Sequence, residues 1–220
     1  MCFSAASSFS AATILLIIGT WSIKKNHNPS GYMFAVIPIF FALQQEMEGI
    51  IWLTLVRINQ PLLHSISLYI YLLCALALWP AWIPFSLARI EPLRERRIIL
   101  GVFTLLGVII SLYGIYQLIL FPAKAEIRES SIYYIFGAAN RCYLFYFILY
   151  IVPTTFSFFA SSIPLMRITG SAVLASLVMT YYIKLTTLTS VWCFFAALLS
   201  ILTVILVDQI NLTPHRKKSQ

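Results

Sequence analysis

Charged side chains are scarce in this chain, and that scarcity determines its class. Only 10% of the 220 residues are charged, whereas 60% are hydrophobic and the mean hydropathy is +0.89. A water-soluble domain keeps the exposed faces of its helices polar, so this composition excludes an ordinary soluble domain. We therefore expect an all-α membrane protein whose main partner is the lipid bilayer.

Metal-binding and nucleic-acid-binding patterns are also missing. The chain has three histidines and four cysteines, with no CxxC pair and no zinc-type histidine spacing, so we expect no metal site of that kind. The net charge of +8 includes no basic patch interleaved with aromatic residues, which argues against a nucleic-acid partner. The last apolar segment contains no lysine, which disfavours a rhodopsin-like Schiff base. No cofactor follows from the sequence.

Long apolar segments separated by charged breaks are what the sequence does contain. A helix needs about 20 apolar residues to cross a bilayer. Seven such windows predict a seven-helix bundle in one domain over residues 1–210, followed by a short basic tail at 211–220. The windows are 6–23, 32–56, 64–88, 98–121, about 132 to beyond Pro153, 168–185 and 189–207, with a turn near Ser161 and Ser162 and a kink at Pro153.

The basic residues of the connections predict the orientation of the bundle, because lysine and arginine are enriched on the cytoplasmic side. One side holds ten of them and the other holds four, namely Arg57, Lys124, Arg128 and Lys184. We therefore expect an outside N terminus and a cytoplasmic C terminus. The tryptophans fit interfacial belts in that arrangement, with Trp21, Trp79 and Trp82 at the inner interface and Trp52 and Trp192 at the outer one.

Polar groups at membrane depth are costly and indicate a candidate site. In "FALQQEMEGIIW", Gln44 or Gln45 shares a helix face with Glu48 and Trp52, whereas Glu46 points elsewhere. Arg141 lies nine residues beyond position 132, at a depth similar to that of Glu48.

Three interpretations of these two charges stay open. Glu48 and Arg141 only neutralise each other, or they line a polar pocket open to the outer face, or they do not meet. Candidate walls of that pocket are Gln45, Tyr113, Tyr116, Gln117 and Asn140.

Cys2 and Cys193 are both expected near the outer face. They could form a disulfide, bind a soft metal ion, or include a free thiol at Cys2 that acts as an N-terminal nucleophile once Met1 is removed. Cys74 and Cys142 are interpreted as small hydrophobic residues in packed helices.

Four motifs carry a resemblance over essentially the whole chain: the opening "MCFSA", "QEMEGIIW", "WPAWIP" and "SVWCFFAALLS". In combination they resemble an uncharacterised family of small multi-pass bacterial membrane proteins that has no assigned activity. The resemblance implies a seven-helix protein of the bacterial inner membrane. It also directs attention to Cys2, Glu48, Trp52, Trp192 and Cys193.

Two classes of function are compatible with these residues. The first is a membrane-embedded enzyme or thiol-redox protein acting on a lipid or small molecule, with Cys2 reactive, Glu48 carrying a proton and Arg141 anchoring an anion. The alternative is a non-enzymatic receptor, sensor or transporter that holds a small-molecule or lipid ligand in the same pocket. The sequence does not decide between them.

Overall fold

The computed structural model describes residues 4–128, 130–137, 142–184 and 188–212, without the side chains of 142–145, 183, 184, 188 and 212. Three predicted site residues, Cys2, Asn140 and Arg141, lie outside the described residues. The side chain of Cys142 does as well.

Seven helical segments occur within these ranges. They are α1 (Ala5–Lys25), α2 (Pro29–Val56), α3 (Pro61–Ile90), α4 (Arg94–Leu120), α5 (142–160), α6 (Pro164–Lys184) and α7 (188–212). The turn between α5 and α6 falls at Ser161 and Ser162, as the sequence predicts. Five of the segments, α1 to α4 and α7, are long and apolar enough to cross a membrane.

Helix α1 begins inside the opening motif. Ser4 is its N-cap: the Ser7 backbone N–H donates to Ser4 Oγ at 3.3 Å, and the Ser4 backbone N–H donates to Ser7 Oγ at 2.9 Å. This reciprocal pair satisfies two backbone donors at the start of the helix. Lys24 and Lys25 lie in the last turn, where positive charge interacts favourably with the helix dipole.

A β-hairpin separates α4 from α5, and it corrects the predicted start of the fifth helix at residue 132. Strands β1 (Lys124–Arg128) and β2 (Ser131–Ile135) pair antiparallel, with Ala125 opposite Tyr134. Helix α5 begins only at Cys142. The depth expected for Arg141 therefore no longer follows, because the nine-residue count began at residue 132, which belongs to a strand.

The α2 and α3 helices form the centre of the bundle, and α1 and α4 lie at its edge. Buried residues make up 61% and 56% of the apolar windows of α2 and α3, but only 33% and 28% of those of α1 and α4. Helix α4 crosses α3 closely at Gly107, where an added Cβ would lie 1.8 Å from the Pro80 carbonyl oxygen. Only glycine permits that approach.

The two ends of the bundle are distinguishable, and we name them by their contacts. The hairpin end carries β1 and β2. At the opposite end, Lys25 Nζ forms a 2.8 Å ion pair with Asp208 Oδ2, and the Asn211 side chain donates to the Lys25 carbonyl. These contacts join the end of α1 to the end of α7.

The tryptophan belts expected from the sequence are wrong. Trp52, Trp79 and Trp192 are each at most 7% exposed, and only Trp21 is largely exposed, at 59%. Trp82 is partly buried, and its Nε1 donates to the Met33 carbonyl at 3.0 Å. Most of the indoles therefore pack inside the bundle and do not lie at its surface.

Candidate functional site

Glu48 is the centre of a buried polar cluster near the hairpin end. Its side chain faces inward from α2 and is 2% exposed, whereas Glu46 is on the exposed face of the same helix. Ser190 Oγ donates to Glu48 Oε1 at 2.5 Å, Tyr134 OH donates to Oε1 at 3.4 Å, and Gln45 Nε2 donates to Oε2 at 3.3 Å. The carboxylate is thus held by α2, α7 and the hairpin together.

The hairpin contributes Tyr134, whose ring stacks on Tyr71 of α3 with centroids 4.5 Å apart. Burial raises the pKa of the Tyr134 phenol well above its ordinary value, and the Glu48 carboxylate raises it further. Tyr134 therefore stays protonated at neutral pH and serves as a hydrogen-bond donor. The phenol thus orients the buried glutamate through its hydrogen bond and does not ionise beside it.

A second polar layer lies next to Glu48 on the same helix. Gln44 accepts a hydrogen bond from Trp79 Nε1 at 2.7 Å through its Oε1 atom. The Cys193 thiol interacts with Gln44 and with Tyr71. Trp79 in turn stacks on Phe41, with centroids 3.9 Å apart. The polar layer therefore continues from Glu48 to two aromatic residues of the bundle interior.

Several buried polar atoms around this cluster have no hydrogen-bond partner. They include Gln45 Oε1, Trp52 Nε1 and Trp192 Nε1. Each unpaired buried donor or acceptor costs about 1–3 kcal/mol. Their concentration on the elements that hold Glu48 marks a place where a bound molecule would supply missing partners.

An internal cavity begins beside this cluster and extends away from it. Its volume of about 70 Å³ is several times what a single water requires. Residues from five helices line it. Among them are Phe34 and Phe41 of α2, Trp79 of α3, Tyr150 and Phe158 of α5, Val173 of α6, and Trp192, Cys193 and Leu206 of α7. A smaller cavity of about 30 Å³ shares Tyr150, Trp192 and Cys193.

The predicted site residues separate into three groups in the structure. Gln45, Trp52, Trp192 and Cys193 are buried with Glu48 at the hairpin end of the bundle. Cys193 is a free thiol. Cys2, Asn140 and Arg141 lie in the undescribed parts of the chain, so their grouping with Glu48 stays a prediction.

The predicted wall residues of α4 form the third group. Tyr113 and Tyr116 are 40% and 54% exposed and line neither of these cavities. Gln117 donates to Tyr113 OH at 2.6 Å and lies close to Gly137, beyond the hairpin. Helix α4 thus turns these tyrosines outward, because its buried face is the one that contains Gly107, Ser111 and Gly114.

Sequence reasoning missed four members of the cluster: Tyr71, Trp79, Tyr134 and Ser190. Ser190 lies inside the "SVWCFFAALLS" motif, three residues before Cys193, so helical spacing could have placed both on one face. Tyr134 could not be found in this way, because its segment looked like the start of a helix.

A second buried glutamate, Glu91, lies in the charged break that follows the third apolar window of the sequence. It is 0% exposed and follows α3 at the end opposite the hairpin. Its carboxylate accepts hydrogen bonds from Ser161 Oγ at 2.8 Å, from Ser162 N and Oγ at 2.8 and 2.5 Å, and from Leu93 N at 3.2 Å. Arg97 donates to the Glu91 carbonyl. This arrangement joins the α3–α4 connection to the α5–α6 turn.

In the part of the chain that the structure describes, no three histidine, cysteine or acidic side chains come together in a group that could hold a metal ion. The described side chains of the candidate site are a carboxylate, amides, indoles, phenols and a thiol around an apolar cavity.

These features define a class before they define a family: a mostly helical protein with membrane-length apolar helices and a buried polar cluster above an internal cavity. The chain belongs to a family of unknown function (DUF6629), whose sequence profile matches residues 1–218. No curated protein and no solved structure matches the chain. The membership fits the uncharacterised family expected from the motifs.

Proposed function

We propose that this protein is a multi-pass protein of the bacterial inner membrane that binds a small molecule in the cavity beside Glu48. In this proposal all seven helical segments cross the bilayer, with the N terminus outside and the C terminus in the cytoplasm. Ten basic residues against four in the connections support that orientation. The exposed apolar faces of α1 and α4 support a location of the bundle in lipid.

The observation that carries the binding function is the position of the cavity. It lies between five helices. Two of its lining residues, Trp192 and Cys193, are on α7, which also supplies the Ser190 hydroxyl to Glu48. Ligand sites in proteins are commonly apolar cavities with a few convergent polar groups, and sites between the helices of a bundle are one recurring place for them. An intramembrane carboxylate with this burial is a functional pointer in its own right.

Binding is favoured over catalysis by what surrounds the thiol. Cys193 is 6% exposed and packs among aromatic residues, which suits a wall of a binding site better than an accessible nucleophile. The enzymatic alternative depends on Cys2 and Arg141, and it stays a prediction for those two residues.

Native mass spectrometry of the protein, released gently from membranes, tests the binding function. We expect an adduct of small organic mass on the wild-type protein, because the unpaired groups and the open volume favour an occupant. Ala196→Phe should remove the adduct, since Ala196 lines the cavity and a phenyl group would fill it.

Ala175→Phe is the matched control, because Ala175 is exposed on the neighbouring helix α6. It should retain the adduct of the wild type. Equal adduct occupancy in both phenylalanine variants, or an adduct-free wild type, would contradict the proposal.

A further inference from the structure

The geometry points to a neutral, ring-containing ligand that presents a carbonyl-type oxygen to the indole N–H of Trp192. This inference rests on the proposed binding cavity and adds the chemical class of its occupant. It follows from the shape of the walls, from the hydrogen bonds already made by the lining residues, and from the absence of a free charge among the described lining residues.

The walls of the cavity favour a flat apolar body. Six aromatic residues from α2, α3, α5 and α7 contribute to the lining: Phe34, Phe41, Trp79, Tyr150, Phe158 and Trp192. Tyr150 and Trp192 meet edge to face, with centroids 5.9 Å apart, at the end near Glu48. Aromatic side chains stack on rings or meet them edge-on, which rewards a ring in this space.

Most polar groups of the lining already have partners. The hydroxyls of Thr154, Thr169 and Ser200 donate to carbonyls of their own helices at 2.6–3.0 Å. Tyr150 OH donates to the Ala75 carbonyl at 2.6 Å, and Trp79 Nε1 donates to Gln44 at 2.7 Å. These groups therefore present mainly carbon to the cavity.

Trp192 differs from these neighbours. It lines both cavities and is only 7% exposed, and its Nε1 has no hydrogen-bond partner. An indole N–H is a donor only, so the missing partner must be an acceptor. This buried, unpaired donor at the end of the cavity near Glu48 favours an oxygen acceptor there.

Charge argues for a neutral ligand. No charged residue occurs among the described residues that line the cavity. The Glu48 oxygens are already used, with Oε1 accepting from Ser190 and Tyr134 and Oε2 accepting from Gln45. A charged ligand in this apolar space would lose its hydration without gaining a free counter-charge.

Three ring-matched probes test the inference with the whole protein in lipid nanodiscs, followed by fluorine NMR. They are para-fluoroacetophenone, para-fluoro-α-methylstyrene, in which a methylene group replaces the carbonyl oxygen, and para-fluoro-α-methylbenzylamine, which carries a positive charge. Empty nanodiscs correct for partition into lipid. We expect saturable binding of the ketone that is about tenfold tighter than that of the alkene, because only the ketone can accept a hydrogen bond from the buried indole N–H.

Trp192→Phe keeps a ring but removes the donor, so it should reduce the preference for ketone over alkene to less than about twofold. Trp82→Phe is the matched control, because its indole N–H is paired with Met33 and lies outside both cavities. The probe comparison on the wild-type protein needs no variant and stands even if Trp192→Phe folds poorly.

The outcomes separate the inference from the binding function. Equal binding of ketone and alkene, both lost in Ala196→Phe, would overturn the ligand class and leave the cavity site standing. Tighter binding of the amine, lost in Glu48→Gln, would replace the inference with a cationic ligand. If none of the three probes binds saturably, to the wild type or to Ala196→Phe, both the inference and the proposed function would be overturned.

Discussion

Glu48 and Glu91 are two buried glutamates at opposite ends of one bundle, and their surroundings differ. Glu91 accepts four hydrogen bonds, two of them from backbone N–H groups, and its own carbonyl is bonded to Arg97. Glu48 accepts three hydrogen bonds from side chains, and two of these are 3.3–3.4 Å long. Gln45 and Trp52 on the same helix each have a buried polar atom without a partner.

The difference separates a structural joint from a binding site. A carboxylate with every oxygen bonded to fixed donors stabilises one geometry of the loops around it. A carboxylate held by side chains that can rotate, next to a cavity, leaves room for a partner. Burial of a glutamate is therefore weak evidence for function until its hydrogen bonds have been counted.

The largest expected contrast between the two ends is one of location. A reporter that is active only in the cytoplasm should be active when fused after Gln220. It should be inactive when fused to the chain truncated after Arg128 in the hairpin, because the charge asymmetry predicts that the hairpin end is outside. Activity at both positions would mean that an even number of membrane-spanning segments lies between them. The proposed topology, which has three, would then be wrong.

Replacement of each glutamate by glutamine should reveal the next contrast. In Glu91→Gln the new NH2 group must face donors, one of which is a backbone N–H in either orientation. We expect a loss of about 2–3 kcal/mol in stability, seen as a clear fall in the thermal unfolding temperature in detergent. Glu95→Gln is the control, since Glu95 is exposed in the first turn of α4. Equal unfolding temperatures for the two variants would contradict the structural role.

Glu48→Gln should cost less, about 1 kcal/mol. Gln45 can turn its amide so that the unpaired Oε1 accepts from the new NH2 group. If Arg141 pairs with Glu48 as the sequence predicts, Arg141→Met combined with Glu48→Gln should destabilise less than the sum of the single losses in thermal unfolding. Strict additivity would argue against the pair.

Two buried serines give the smallest and most closely matched contrast. Ser161 donates to Glu91 at 2.8 Å, whereas Ser131 in β2 has an unpaired hydroxyl, and both are 0% exposed. We expect Ser161→Ala to lower stability by about 1 kcal/mol, whereas Ser131→Ala should raise it by about 1 kcal/mol, because it removes a buried hydroxyl that has no partner. Thermal unfolding of the two variants side by side measures this, and the reverse order would refute the comparison.

The helical part of the fold was accessible from the sequence. Apolar runs between charged breaks predicted the seven segments and the turn at Ser161 and Ser162, because helix length and hydrophobicity act locally. Spacing by three and four also predicted which face of α2 is buried, with Glu48 inward and Glu46 outward.

The parts that were missed depend on tertiary contacts. The segment "SIYYI" is as apolar as a helix start, and only its pairing with "KAEIR" makes it a strand. Tyr113 and Tyr116 were predicted as pocket walls, but the small residues of α4 decide which face packs against α3. The burial of Glu91 could not be predicted, because its serine partner Ser161 lies 70 residues away in sequence.

Helix α3 contains a π-helical turn at Cys74–Leu78, and its consequence concerns the rotational phase of the helix. Buried pairs recur every four residues along it, at 67/68, 71/72, 75/76, 79/80 and 83/84. A regular α-helix turns about 40° too far in each four-residue step, which would accumulate to about 160° over these four steps. The wider turn holds one surplus residue, worth about 100°. That single residue removes most of the accumulated rotation. Trp79 therefore faces Gln44 and the cavity, on the same side of the helix as Leu72, which lies two turns earlier in the core.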